Sequence, residues 1–583
     1  MTRRSIMTKP PPRGSVLATD PVRAAIDANK PLFVAGLGFS AAMSILALTT
    51  SFYMLQVYDR VLSSRSEETL LLLTIMAFVA IAVFATLDSL RTRILARAGI
   101  RTADLIAGDA LRAMVATTSR NGGRDIRFGL RDIETVRNFI ASPGFTALMD
   151  APFVIVYLVV LTLLHPIFLA IVLLGGAILV TIALVSQRTT DPVLARGIGL
   201  SMRAHAFAEG GLRNADVLEG MGMSPVFAAR WRRGWVESLR VMTAASDRDS
   251  KLSSLSKAVR MLIQITLLGA GAMLILDFRA TGGIMIGASI IGARALAPIE
   301  TIVSSWKNLV AVRLAWQRIG TLMREAPRRE EGMALPPPAG RLQAAGVQYI
   351  TPAARQTILA GIDFEIAPGE SLGIIGPSGS GKSTLLRLLV GAWPCTTGNV
   401  RLDGADIYVW PRAELGGHIG YLPQDVELFS GTVQENIARM GEGDPQTIVR
   451  AAMRAHAHEM ILSLPKGYDT EIGENGHDLS GGQAQRIGIA RAFYGDPRLV
   501  VLDEPNANLD SAGEDALMTA IGELKAQGVT VVIVAHRPSI LAAVDKMLVL
   551  RANGTMEAFG PRNDIMLRFT RPPVMSVVPG GHP

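Results

Sequence analysis

Cysteine is nearly absent: Cys395 is the only one among 583 residues. No disulfide can form within the chain, and no metal site can be built from cysteines. Cys395 itself reads as a small apolar filler. Aromatic residues make up only 5% and charged residues only 19%. A net charge of +8 would otherwise invite a nucleic-acid partner. No basic run is interleaved with aromatics, so no nucleic acid is expected. An ordinary soluble enzyme does not fit either, because 49% of the residues are hydrophobic and mean hydropathy is +0.32. An arginine excess beside apolar segments fits the cytoplasmic flanks of membrane spans. The length leaves room for two to four domains.

Residues 1–30 are basic, contain Pro10, Pro11 and Pro12, and show no periodic apolar pattern. They read as a cytoplasmic N-terminal tail. Arg3 and Arg4 could open a twin-arginine signal. The apolar stretch behind them starts too late and runs too long for a cleavable segment. It reads as an uncleaved first span, from Pro31 to Tyr58. A polar hairpin from Asp59 to Glu68 leads to span two, Thr69 to Leu87, each of the roughly 20 residues that crossing requires. Residues 91–143 carry ten arginines and no lysine, which puts this loop on the cytoplasmic side. Helical spacing in Leu105–Val115 and Ile133–Ile140 extends the spans into the cytoplasm. Spans three and four, Phe145 to Leu164 and Ile167 to Val185, turn at His165-Pro166. A second polar helical loop, Gln187 to Lys257, precedes spans five and six, Ala258 to Leu276 and Ile284 to Val303. Three charges, Asp150, Arg294 and Glu300, stand at or within the spans. Each reads either as a paired or interfacial charge or as part of a transport route.

The fold class expected is a membrane α-helical six-span domain followed by a soluble α/β phosphate-loop domain. Residues 31–320 form the membrane part with its cytoplasmic helical extensions, and 321–340 a proline-rich linker. Residues 341–565 form the soluble domain and 566–583 a C-terminal tail. Its first signal is Gly376-Pro377-Ser378-Gly379-Ser380-Gly381-Lys382-Ser383-Thr384, between an apolar strand-like run and an apolar helix-like run. The glycines let successive N–H groups turn toward phosphate oxygens, and the helix adds its positive end. Lys382 would reach the β- and γ-phosphates, and Ser383 would hold Mg²⁺. The second signal is Leu499–Pro505, a buried strand ending in Asp503 and Glu504. Asp503 can face Mg²⁺ and Glu504 can polarise an attacking water. The third is Leu479-Ser480-Gly481-Gly482-Gln483 at a helix start, where bare N–H groups and the Ser480 hydroxyl can meet an anion.

Together these motifs make residues 341 onward resemble the nucleotide-binding domain of ABC transporters. The resemblance implies ATP and Mg²⁺ as ligands and ATP hydrolysis as the activity. Gln424, in Tyr421-Leu-Pro-Gln424, is similar to the family's glutamine loop, which senses Mg²⁺. Residues 479–483 are similar to the signature, and Asn508-Leu-Asp510 to the loop that communicates between two domains. His536 is similar to the switch histidine. Glu504, His536 and Lys382 then carry catalysis, and Ser383, Gln424 and Asp503 the Mg²⁺. One family feature is missing: Thr351 stands where an aromatic usually stacks on adenine, with Tyr349 on the same strand face. The family further implies a head-to-tail homodimer with ATP between phosphate loop and signature.

Three stretches resemble the type I protein secretion branch: Tyr58–Arg65, Asp150-Ala-Pro-Phe153 and Asp503–Asp510. That resemblance covers about residues 31–565. It implies an inner-membrane exporter surrounded by lipid, with the ATPase domain in the cytoplasm. It also implies a periplasmic membrane-fusion adaptor, an outer-membrane channel protein and an unfolded secreted protein substrate with a C-terminal signal. With only about 30 residues before span one, no peptidase-like domain and no leader cleavage are expected. Two alternatives stay open here. One is an exporter of lipid or small molecules. The other is a non-hydrolysing scaffold, which would be expected to lack Glu504, Lys382 or His536.

Overall fold

The computed structural model describes residues 21–120, 129–326, 335–352, 354–473, 479–509, 511–535 and 537–570. They fall into two compact units. One holds the long helices up to Ala326, and the other holds mainly residues 335–570.

In the first unit six helices are long and apolar enough to cross a membrane: Arg23–Ser64, Glu67–Ser119, Pro143–Leu164, Pro166–Leu212, Ser224–Leu276 and Gly282–Ser304. They are called spans one to six. Several extend well beyond a bilayer's thickness, as the spacing in the arginine-rich loops predicts. Spans two and six are opposites. Span two turns almost all of its apolar residues outward, Leu71, Leu72, Met76, Phe78 and Val79 among them. Span six sits inside the bundle, and its glycines let it do so. A Cβ on Gly292 would lie 2.5 Å from Leu267, and one on Gly271 of span five 2.5 Å from Met285. Leu161, Phe168, Leu179, Leu267 and Ile291 fill the core between spans three, four, five and six.

Three readings change. The first helix begins at Pro21, inside the stretch read as tail, because Ala25 is buried and Asn29 donates to Thr102 Oγ1. The hairpin read at Asp59–Glu68 shrinks to a turn at Arg65-Ser66. The helix continues through Ser64 by way of a π-helical turn at Val57–Val61. That inserted residue aims Asp59 at span six. Its carboxylate accepts from the Thr281 hydroxyl at 2.6 Å and from the Gly283 N–H at 2.9 Å. Asp59 thus caps a long helix whose positive end favours an anion. At the other end of the unit, the helix Trp306–Glu325 reaches into the stretch read as linker.

Two of the three charges singled out at the spans are paired, and the third, Arg294, lies close to Tyr157 of span three. Arg91, only 8% exposed, bonds Asp150 at 2.6 Å, Asp88 at 2.8 Å and the Ser40 hydroxyl at 3.0 Å. This contact accounts for Asp150. Glu300 pairs with Arg260 at 2.9 Å. His165 makes the turn between spans three and four, in extended backbone, and its Nδ1 accepts the Ile167 N–H.

The second unit is built on a six-stranded sheet. Its spatial order is Met556–Pro561, Lys546–Leu550, Ser371–Ile375, Thr530–Val534, Leu499–Asp503 and Ile419–Leu422. The last five are mutually parallel. Both faces are covered, which is why these strands read as unbroken apolar runs. A four-stranded antiparallel sheet carries Leu342–Ile350. Tyr349 lies there, buried, with its ring stacked on Trp393 at 5.1 Å between centroids. Burial alternates along this strand and turns Tyr349 inward, where its ring packs in the core.

A Cβ on Gly283 would lie 2.6 Å from the Asp59 carboxylate. Gly283→Ala is therefore expected to displace the cap and cost about 1–2 kcal/mol, seen as a lower thermal midpoint of the detergent-purified chain. Adding Asp59→Ala should cost little more, because both changes remove the same contact.

Candidate nucleotide site

The site begins with strand register. Val534 partners both Ile374 and Asp503. The ends of Ser371–Ile375 and Leu499–Asp503 therefore stand level at one edge of the sheet, one strand apart. In parallel sheets this carboxyl edge is where ligands bind. The chain leaves the first strand into Gly376–Gly381 and enters the helix Lys382–Leu389. Gly379 and Gly381 have φ of +82° and +91°, which side-chain-bearing residues rarely adopt. A Cβ on Gly376 would lie 2.7 Å from the Leu550 carbonyl, so the loop is also packed too tightly for anything larger.

Lys382 is buried and folded over this loop, its Nζ donating to the Gly376 carbonyl at 2.9 Å and the Pro377 carbonyl at 3.1 Å. Asp503 is buried at the strand end, near Ser383, Lys382 and Arg387. Burial pushes its carboxyl above the usual carboxylate range. The Ser383 hydroxyl pulls it partly back, and the neighbouring Glu504 charge raises it further. Glu504 itself sits at φ +49°, with its N–H bonded to the Val534 carbonyl. That left-handed backbone is a local cost, and it turns the side chain out of the strand. Gln424 reaches Glu504 Oε2 at 3.3 Å.

Phosphate and Mg²⁺ fit these residues. Ser380 Oγ and Asp503 Oδ1 are both buried without a hydrogen-bond partner, and the cradle between them is lined by backbone rather than by Cβ atoms. The structure thus brings together residues 376–384, Gln424, Asp503 and Glu504. Ser480, Gly481, Gly482 and Gln483 are elsewhere, at the start of the helix Gly481–Phe493. Ser480 and Gln483 form a reciprocal cap, each side chain accepting the other's N–H. Ser480 keeps its own hydroxyl proton to donate, whereas the Gln483 carbonyl is turned back. Asn508 packs on the same helix start, since a Cβ on Gly482 would lie 2.9 Å from its carbonyl. Asp510 and His536 lie outside the described residues.

Two contributors escaped the sequence reading. Gln485, buried on the signature helix, donates to the Pro505 carbonyl and so ties the signature to the carboxylate turn. A polar residue on the apolar face of that helix was the available signal. Arg387 lies over Trp393 at 4.8 Å and close to Asp503. No spacing rule would have pointed to it.

Six membrane-capable helices followed by this sheet-edge site define an ABC exporter. Residues 359–507 match the ABC transporter family. The fold resembles that of a bacterial Atm1-family ABC exporter solved with ATP bound, with a TM-score of 0.78 over 94% of this chain and 97% of that one, at 21% identity. The type I secretion system ATP-binding protein PrsD of Rhizobium meliloti is 41% identical over 556 residues, 95% of each chain. The cyclolysin secretion/processing ATP-binding protein CyaB of Bordetella pertussis is 29% identical over 89% of this chain and 74% of that protein. The leukotoxin translocation ATP-binding protein LktB of Mannheimia haemolytica is 29% identical over 91% and 75%. The chain belongs to the type I secretion ATP-binding proteins. It is a multi-pass membrane protein whose ATPase activity is coupled to transport.

The raised Asp503 carboxyl has a testable sign. A folded-state value above the unfolded one means that ionised Asp503 opposes folding at neutral pH. The penalty disappears as pH falls through the raised value. Asp503→Asn should therefore raise the thermal midpoint of the nucleotide-free chain at pH 7 while ATPase activity falls about 100-fold or more, the scale of losing one transition-state electrostatic group. The gain in midpoint should shrink in acid.

Proposed function

We propose that this protein is the ATP-driven inner-membrane exporter of a type I secretion system, moving unfolded proteins with a C-terminal signal out of the cytoplasm. The observation that carries this reading is that similarity to PrsD runs through the membrane half as well as the ATPase half. An ATPase-only match would leave the exporter of lipid or small molecules equally placed.

In this reading the ATPase unit faces the cytoplasm, with Lys382, Glu504, His536 and the loop Gly376–Thr384 as its working residues. Lys382 leaves the Gly376 and Pro377 carbonyls for the β- and γ-phosphates, and the loop amides hold the remaining oxygens. Ser383, Asp503 and Gln424 would hold Mg²⁺, which would supply neutralising charge at those phosphates. Glu504, fixed at the strand end, orients the attacking water and takes up its proton, while His536 contacts the γ-phosphate. Ser480 and Gly481 are exposed and Gly482 half-buried on a separate, capped helix start, which suits donation to the nucleotide of a second copy. Asp510 would then communicate across the same boundary. Two copies of the chain form two such sites, and their closure moves the spans. A periplasmic adaptor and an outer-membrane channel complete the path, and bilayer lipid surrounds the outward side chains of span two.

Glu504→Gln keeps size and shape and removes only the water-orienting carboxylate. Steady-state hydrolysis is expected to fall by about 10²–10⁴-fold with ATP still retained by the purified chain. Unchanged turnover would remove Glu504 from this role. A strain carrying the variant should lose a defined set of extracellular proteins. An unaltered set, with altered membrane lipid, would return the function to the alternative.

A further inference from the structure

The signature helix, Gly481–Phe493, is held to the rest of its unit near both ends, and unequally. Near its front, one side-chain hydrogen bond crosses from Gln485 to the Pro505 carbonyl. At its back, a single guanidinium collects carbonyls of the kind that a helix end leaves without partners. Arg439 Nε donates to the Arg491 carbonyl at 3.2 Å, and its Nη2 to the carbonyls of Tyr494 at 2.8 Å and Ala492 at 3.4 Å. Its Nη1 donates to the Gly416 carbonyl at 2.5 Å. Gly416 lies just before the strand Ile419–Leu422, which runs on toward Gln424. One side chain thus joins the helix end to the root of the strand that leads to the glutamine. The helix end and that strand also touch directly, since a Cβ on Gly420 would run into the Ala492 carbonyl.

Arg439 occupies this position at a cost. It follows the helix Val433–Ile437 and reverses into left-handed backbone, φ +57°, with Met440 next at φ +62°. The Met440 N–H returns to the Glu435 carbonyl at 2.7 Å and the Arg439 N–H to the Asn436 carbonyl at 3.3 Å. A helix closed in this way usually has glycine at the reversal, because a side chain there is strained. Burial works against the guanidinium charge, Tyr494 favours it and nearby Arg491 opposes it. Glycine would close the turn without strain and would hold nothing. The strain therefore goes with what the side chain grips.

We propose that Arg439 is a positioning residue for ATP hydrolysis. With Gln485 it fixes the direction of the signature helix, and so the place where Ser480 and the Gly481 N–H are offered to the nucleotide of a second copy. Two holds define a direction, whereas one defines only a point. The gripped end lies about 18 Å behind Gly481 at 1.5 Å per residue, so a tilt of about 5° shifts one end by about 1.5 Å against the other. Arg439 itself touches no nucleotide in this arrangement, which rests on the two-copy reading above.

The test uses the full chain in detergent, with Arg439→Gly, which suits the left-handed backbone, and Arg439→Lys, which keeps the charge but loses the fork of donors. Each is expected to fold with a lowered thermal midpoint, from the lost hydrogen bonds. Well below that midpoint, each should bind labelled ATP without Mg²⁺ within about twofold of the parent chain, because the phosphate loop is a separate site. Hydrolysis should still fall, with kcat/KM lowered about 10- to 100-fold, the scale of misplacing a group by up to about 1 Å. Ser480→Ala alone should lower kcat/KM about 100-fold, as for loss of one transition-state donor. Adding Arg439→Gly to it should cost less than about threefold more, because both changes act through one contact. Full activity of Arg439→Lys, a parallel loss of ATP binding, or losses that multiply in the double variant would each overturn the proposal and leave the two-copy reading standing. If Ser480→Ala alone leaves hydrolysis unchanged, the two-copy reading falls and the role of Arg439 falls with it.

Discussion

The nucleotide site depends first on a hydrogen-bond register. The strand Thr530–Val534 pairs on one side with the strand that feeds the phosphate loop and on the other with the strand that ends in Asp503. A one-residue slip of the Asp503 strand would move its end by about 3.3 Å and turn the carboxylate to the opposite face. Nothing polar in the site itself prevents that slip. It is prevented by Val500, Val501, Leu502, Val531, Val532 and Ile533, all fully buried in the two apolar layers that cover the sheet. The chemistry of a few charged groups is therefore set by side chains that never approach a phosphate.

Holding those groups in readiness is costly, and the costs concentrate at the sheet edge. Asp503 is kept ionisable although buried, Glu504 adopts a left-handed backbone, and Ser380 has an unpartnered buried hydroxyl. Each is unfavourable for folding alone. The covering apolar layers offset them, and a polar ligand at the loop would relieve two of the three. The membrane unit handles polarity in the opposite way. It pairs Arg91, Glu300 and Asp59 within the protein, since lipid offers no partner.

Legibility in the sequence followed range. The phosphate loop, the carboxylate strand and the signature are local strings whose function needs only near neighbours in the right order. Span positions followed from length and apolarity, and the inward extensions from helical spacing. Contacts between distant segments did not announce themselves. Asp59 looked like hairpin polarity because the helix start it caps lies 224 residues on. Strand alternation at Tyr349 could not reveal that Trp393 stacks on its ring. The first helix looked like tail because its buried residues, Ala25 and Asn29, are too few and too small to register as an apolar stripe.

Span six joins these threads. Its outer end is fixed by the Asp59 cap and its inner part by the Glu300–Arg260 pair, with glycines letting neighbouring spans close on the length between. Those anchors lie on either side of Arg294. The helix cannot rotate to hide that charge without breaking a cap whose carboxylate has no room to follow a bulkier residue at position 283. Nor can it slide the charge toward an interface without separating an ion pair in a medium where separation is expensive. The contacts that make span six rigid are thus the same ones that hold Arg294 at mid-depth, beside Tyr157.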